Sequence, residues 1–101
     1  MKRTLLLGAL VFSTTDVRAD ALEAGHKVAT TCIACHGEKG VSANDLWPNL
    51  AGQKKQYLIK QLTAFQAGER KDPLMTPMSG TLSKEDIENV SVYFASLKTS
   101  P

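Results

Sequence analysis

Cys32-Ile33-Ala34-Cys35-His36 contains both cysteines of the chain and one of its two histidines. Two thiols three positions apart, followed at once by an imidazole, suit several chemistries, and the surroundings separate them. A disulfide between Cys32 and Cys35 would close so short a loop that it could restrict little of the unfolded chain. A thioredoxin-like redox pair accompanies a βαβ pattern, and this chain shows no sustained apolar/polar alternation. A zinc site wants a second ligand pair at finger-like spacing. The other histidine, His26, precedes Cys32 by six residues on a helical segment and reads as solvated. The remaining reading is the C-x-x-C-H pattern of c-type haem attachment. Two thiols on adjacent turns each add to a vinyl group on one edge of a porphyrin, and the next residue places an imidazole under the iron.

Outward from that motif, three segments carry helical periodicity and the expected fold is all-α. The first helix is expected from about Ala21 to Thr31, with Leu22, Gly25, Val28 and Ala29 on one side. Gly25 costs about 1 kcal/mol of helix propensity relative to alanine, and a close helix crossing or a tolerated surface position would each account for it. The second helix runs from about Lys54 to Ala67, turns Leu58, Leu62 and Phe65 inward, and stops at Gly68. The third begins at Ser83, a cap with Asp86 three residues on, while Leu82 can staple to Ile87. Its buried stripe is Ile87, Val90, Phe94 and Leu97, with Tyr93 beside it.

The segments His36 to Gln53 and Gly68 to Leu82 read as two long connections without regular structure, a length uncommon in a small domain unless functional or disordered. Leu46, Trp47 and Leu50 in one, and Leu74, Met75 and Met78 in the other, favour wrapping around an apolar body. A covalently fixed haem is such a body, and it supplies the staple that a core this small needs.

The chain has 101 residues, which limits it to one small domain, and its first part reads as a secretory signal. Lys2 and Arg3 are followed by an apolar run from Leu5 to Phe12 and by Val17-Arg18-Ala19, a small-x-small cleavage pattern. Eight apolar residues fall well short of the roughly 18 that span a bilayer. The expected mature chain is Asp20 to Pro101, with nine basic and nine acidic residues, no membrane span and a periplasmic location. Zero net charge argues against nucleic acid as a partner.

Beyond the haem motif, the ordered set of short sequences resembles the class I cytochromes c, in particular the bacterial branch of cytochromes c4 and c5. The resemblance runs from Glu23-Ala24-Gly25 through Cys35-His36-Gly37, Gly40, Pro48-Asn49-Leu50-Ala51-Gly52-Gln53, Tyr57-Leu58 and Lys60-Gln61-Leu62. It continues through Gly68, Arg70, Met75, Met78 and Leu82-Ser83 to Tyr93-Phe94-Ala95-Ser96-Leu97. Cytochromes c4 have two such domains, whereas this chain has one C-x-x-C-H and looks like a single-haem relative.

The resemblance implies that His36 is the proximal iron ligand and that the Pro48 carbonyl accepts its Nδ1 proton. Gly25 and Tyr93 fall where the first and last helices of the family cross. Stiffness from Pro73 and Pro77, which push the residues before them toward extended backbone, does not choose between Met75 and Met78. The family pattern makes Met75 the sixth ligand and Met78 a packing residue. Trp47 could line the haem or fill the core.

With two axial ligands the iron offers no open position. The implied function is that of a soluble electron carrier with one covalent haem c, itself no enzyme, without catalytic residues, monomeric, docking briefly with redox protein donors and acceptors. A subunit of a larger oxidoreductase and a haem sensor or catalytic domain with a labile sixth position are the alternatives. Lys54, Lys55, Lys60, Arg70 and Lys71, against Glu85, Asp86 and Glu88, suggest two surfaces of opposite sign that could steer encounters.

Overall fold

Asp16 opens the first helix, its carboxylate accepting a hydrogen bond from Arg18 N at 3.0 Å. In the computed structural model, which describes Gly8 and residues 16–99, helix α1 (Val17–Ala29) is followed by the single turn α2 (Ile33–His36). Then come α3 (Lys55–Ala67), the short α4 (Met75–Gly80) and α5 (Lys84–Ser96). No strand occurs among the described residues, and the fold is all-α.

Helix α1 packs most extensively on α5, and α3 packs on both α5 and α4. The crossing of α1 and α5 answers the question that Gly25 raises. Gly25 is buried, and a Cβ there would overlap the Asn89 carbonyl and lie 2.8 Å from Tyr93 Cβ. Only a residue without a side chain lets the two backbones approach so closely. One position along, the exposed His26 ring stacks on Tyr93, with centroids 5.0 Å apart. Ala29, Leu58, Val90 and Phe94 form the core where the three long helices meet. Val28, Cys32, Leu50, Leu62, Tyr93 and Leu97 pack around them. Burial of a side chain such as Val90 or Phe94 contributes about 1.5 to 3 kcal/mol.

Three boundaries differ from those expected. Helix α1 begins at Val17, not near Ala21, because Asp16 caps it. It ends at Ala29, where the Thr30 and Thr31 hydroxyls bond the Lys27 and Val28 carbonyls. Such local bonds compete with helix continuation. The cysteine motif therefore stands on its own turn, α2.

The third difference lies in the connection Gly68 to Leu82, which contains helix α4 where none was expected. Thr76 is helical although Pro77 follows it. Its N–H donates to Asp72 O at 3.1 Å and its hydroxyl accepts from Asp72 N at 2.9 Å, which holds the turn. Pro77 is the third helical residue, where a backbone N–H would have no intrahelical partner in any case.

The Ser83–Asp86 capping box forms as expected, with both reciprocal bonds present. The signal reading of Met1–Ala19 falls mostly outside the described residues.

Candidate haem-attachment site

Cys32 caps the start of α2, and Cys35 and His36 lie within its single turn. The backbone N–H of His36 donates to Cys32 O at 2.9 Å, so the backbone sets the spacing from which the imidazole and the first thiol project. Gly37 then turns the chain at φ 91°, and a side chain there would overlap the Val41 carbonyl. Both cysteines are free and half-buried. Burial pushes the Cys32 thiol up, against a smaller opposing pull from the Thr31 hydroxyl, 3.8 Å from Sγ.

His36 is buried, and its Nδ1 lies 2.8 Å from the Pro48 carbonyl oxygen. A carbonyl can only accept, so Nδ1 carries a proton, and in the neutral ring Nε2 carries the lone pair. Nε2 makes no hydrogen bond among the described residues.

The loop that presents Pro48 is closed by backbone bonds. Gly40 O accepts from Leu50 N at 2.8 Å and Ala51 N at 3.0 Å, and Gly37 O accepts from Gly40 N at 2.9 Å. Three side chains complete it. Asn49 Oδ1 accepts from Ser42 N at 2.7 Å, Asn44 Oδ1 accepts from Leu46 N at 2.8 Å, and the single hydroxyl proton of Ser42 is shared between Asn44 O at 3.0 Å and Cys35 O at 3.3 Å. Sequence reasoning gave none of the three a role. The signal was the turn-forming character of asparagine next to proline.

Met75 opens α4 and is half-buried, whereas Met78 is 42% exposed. Asp72 Oδ1 accepts from both Met75 N, at 2.8 Å, and Leu74 N, at 2.9 Å. These two bonds hold the Asp72 carboxyl below the usual carboxylate range. Asp72 was likewise missed, although an acidic residue ahead of a short helix is a recognisable capping signal. Trp47 is half-buried and stands outside the helical core cluster.

The donor set fits a c-type haem. Two unpaired thiols and an imidazole with its outer nitrogen fixed as donor and its inner lone pair free stand within one turn. A thioether sits on a separately braced segment.

An all-helical fold built around that turn defines, by class, a c-type haem protein. The family model described as cytochrome c matches residues 22–98, and the chain belongs to this family of electron-transfer proteins with covalently bound haem c. It is 42% identical over 76 residues to cytochrome c-554(548) of Halomonas halodenitrificans, across 72% of this chain and 92% of that protein. The structure of reduced recombinant cytochrome c4 from Pseudomonas stutzeri superposes with a TM-score of 0.74 at 34% identity, covering 79% of this chain and 50% of that one. A thiosulfate dehydrogenase electron acceptor of Stutzerimonas stutzeri (strain A1501) is 42% identical over 69 residues, 65% of this chain and 32% of that protein. The chain thus spans nearly all of the first relative and half of the cytochrome c4 or less of the others.

Proposed function

We propose that this chain is a single-haem electron carrier of the periplasm and, by itself, no enzyme. Cys32 and Cys35 would hold the haem through two thioethers, and His36 Nε2 and the Met75 thioether would ligate its iron. Pro48 orients the imidazole through its carbonyl. Bound haem supplies an iron that takes up and releases one electron. The soft thioether favours Fe(II) and raises the reduction potential, while the pair of ligands leaves no position for substrate. The observation that carries this reading is the 2.8 Å contact between His36 Nδ1 and Pro48 O, which leaves the Nε2 lone pair free to ligate iron on the same turn as two unpaired thiols.

The purified protein is expected to exceed its chain mass by one haem and to keep that haem through acid-acetone extraction. Reduced, it is expected to resist carbon monoxide at neutral pH. Haem that extracts freely would remove the covalent assignment, and ready carbon monoxide binding would favour the open-site sensor or catalytic reading.

Export follows from the signal reading, with Asp20 as the new first residue; N-terminal sequencing of periplasmic protein tests it. The partners are redox proteins met briefly by a monomer. Lys55 Nζ pairs with Glu88 Oε1 at 2.5 Å, so part of the basic cluster is neutralised by the acidic helix within one molecule. The steering surfaces are smaller than the linear sequence suggests. Among the described residues Lys54, Lys60 and Lys71 are in no ion pair, while Arg70 is folded onto Gln61 and Phe65; electron-transfer rates that do not vary with ionic strength would reject steering.

The likeness to a thiosulfate dehydrogenase electron acceptor supports a second reading, a cytochrome that serves one dehydrogenase as its fixed partner. Stoichiometric co-purification with such an enzyme would favour it over the freely diffusing carrier.

A further inference from the structure

Helix α4 is six residues long, less than two turns, and an isolated helix of that length does not hold itself in water. Its position is therefore set by what it is attached to. On its leading side, the chain leaving α3 is folded back onto that helix. Arg70 donates to Gln61 Oε1 at 2.8 Å, with its guanidinium carbon 4.5 Å from the centre of the Phe65 ring. On the trailing side, Gln66 is the attachment. Its Nε2 donates to Ser79 O at 2.8 Å and to Leu82 O at 2.6 Å.

Both amide hydrogens of one side chain are thus used as a fork between the end of α4 and the approach to α5. Ser79 O also accepts from Leu82 N at 3.1 Å, so the turn is closed on itself and the fork pins that closed turn to α3. The bonded carbonyls are of the kind that a helix end leaves without partners. Gln66 itself is exposed, and its place in the helical pattern marks it only as a solvated residue.

We propose that Gln66 is a positioning residue for Met75: by pinning the end of α4 to α3, it holds the thioether at the iron against competing ligands. The proposal rests on the assignment of Met75 as the second axial ligand. If the far end of α4 is released, Met75 remains capped by Asp72 but is tethered on one side only. Departure of the sulfur then requires less rearrangement.

The test uses the ferric holoprotein with imidazole as the competing ligand, followed by loss of the weak red charge-transfer band of thioether-ligated haem. Global unfolding in denaturant is followed in parallel by far-ultraviolet circular dichroism. Gln66→Met keeps the stem and removes the donors. Gln66→Glu keeps the shape and places acceptors against the two carbonyls. Gln66→Lys restores a donor.

Two lost hydrogen bonds of ordinary strength predict roughly tenfold tighter imidazole binding in Gln66→Met. Gln66→Glu should show a larger gain, and Gln66→Lys an affinity near that of the parent. If Gln66→Glu does not accumulate as folded protein, Gln66→Met and Gln66→Lys carry the comparison. Equal imidazole affinity in the parent and Gln66→Met overturns the positioning role while leaving methionine ligation intact. A gain matched in Gln66→Lys, or one that only parallels a fall in global stability, also overturns it. A parent protein without the red band overturns the ligation assignment and the proposal with it.

Discussion

The two long connections each hold one group in place, the Pro48 carbonyl in the first and the Met75 thioether in the second, by different means. Between α2 and α3, the loop that presents the Pro48 carbonyl is closed across its ends by backbone bonds, three of them meeting at Gly37 and Gly40, while the Ser42, Asn44 and Asn49 side chains bond within it. Between α3 and α5, the segment that presents Met75 has backbone bonds within its own turns and is tied to α3 by side chains. Asp72 and Thr76 stand at its start, Gln66 at its end, and Arg70 ahead of it. A backbone-held loop tolerates most side-chain changes and fails at its glycines. A side-chain-held loop can be loosened one residue at a time. We therefore expect the histidine side to be the more rigid and the methionine side the more adjustable.

The sharpest way to break the rigid side is Gly37→Ala. At φ 91°, with the Val41 carbonyl in the way, the added methyl must shift backbone. We expect a loss of about 2 to 4 kcal/mol in denaturant unfolding, or failure to mature with haem. A folded variant of unchanged stability would show that this loop is not held by its backbone.

On the other side, Met75→Ala should abolish the red charge-transfer band, lower the potential and admit carbon monoxide, with the helical content retained. Met78→Ala should leave the band in place. The opposite result would move the ligand role to Met78.

A smaller effect separates the two caps. Asp72→Ala removes the acceptor of two backbone N–H groups at the start of α4, and should speed hydrogen exchange at Met75 and tighten imidazole binding. Asn49→Ala removes one acceptor in the histidine loop and should lower stability by about 1 kcal/mol without changing imidazole affinity. Equal effects of the two on imidazole binding would erase the contrast between the loops.

The smallest expected change lies in the packing behind them. Ser79 and Ser91 are fully buried, and their hydroxyls lack partners. Replacing Ser91 with alanine should raise the unfolding free energy by up to about 1 kcal/mol, because an unpaired hydroxyl is no longer kept from water. A destabilised Ser91→Ala would indicate that the hydroxyl does have a partner in solution.

Much of this protein follows from sequence alone. The spacing of Cys32, Cys35 and His36 is itself the chemistry of attachment, because thiol and imidazole separations within one turn are set by local backbone geometry. Helices α3 and α5 were legible for a similar reason: their apolar stripes and the Ser83–Asp86 cap are local patterns. Other features depend on contacts between residues far apart in the chain, and these only the tertiary structure decided.

The helical pattern alone left Gly25 as a crossing or a surface position; the family resemblance pointed to the crossing, and the structure puts Asn89 and Tyr93 against it. Helix α4 was hidden because Pro77 argues against a helix; the Asp72–Thr76 bonds that overrule it are local, but what ties the helix down reaches it from α3. Gln66 carries no sequence signal at all. Its amide gains a role only when folding brings the Ser79 and Leu82 carbonyls, 13 and 16 residues further on, within reach of one side chain.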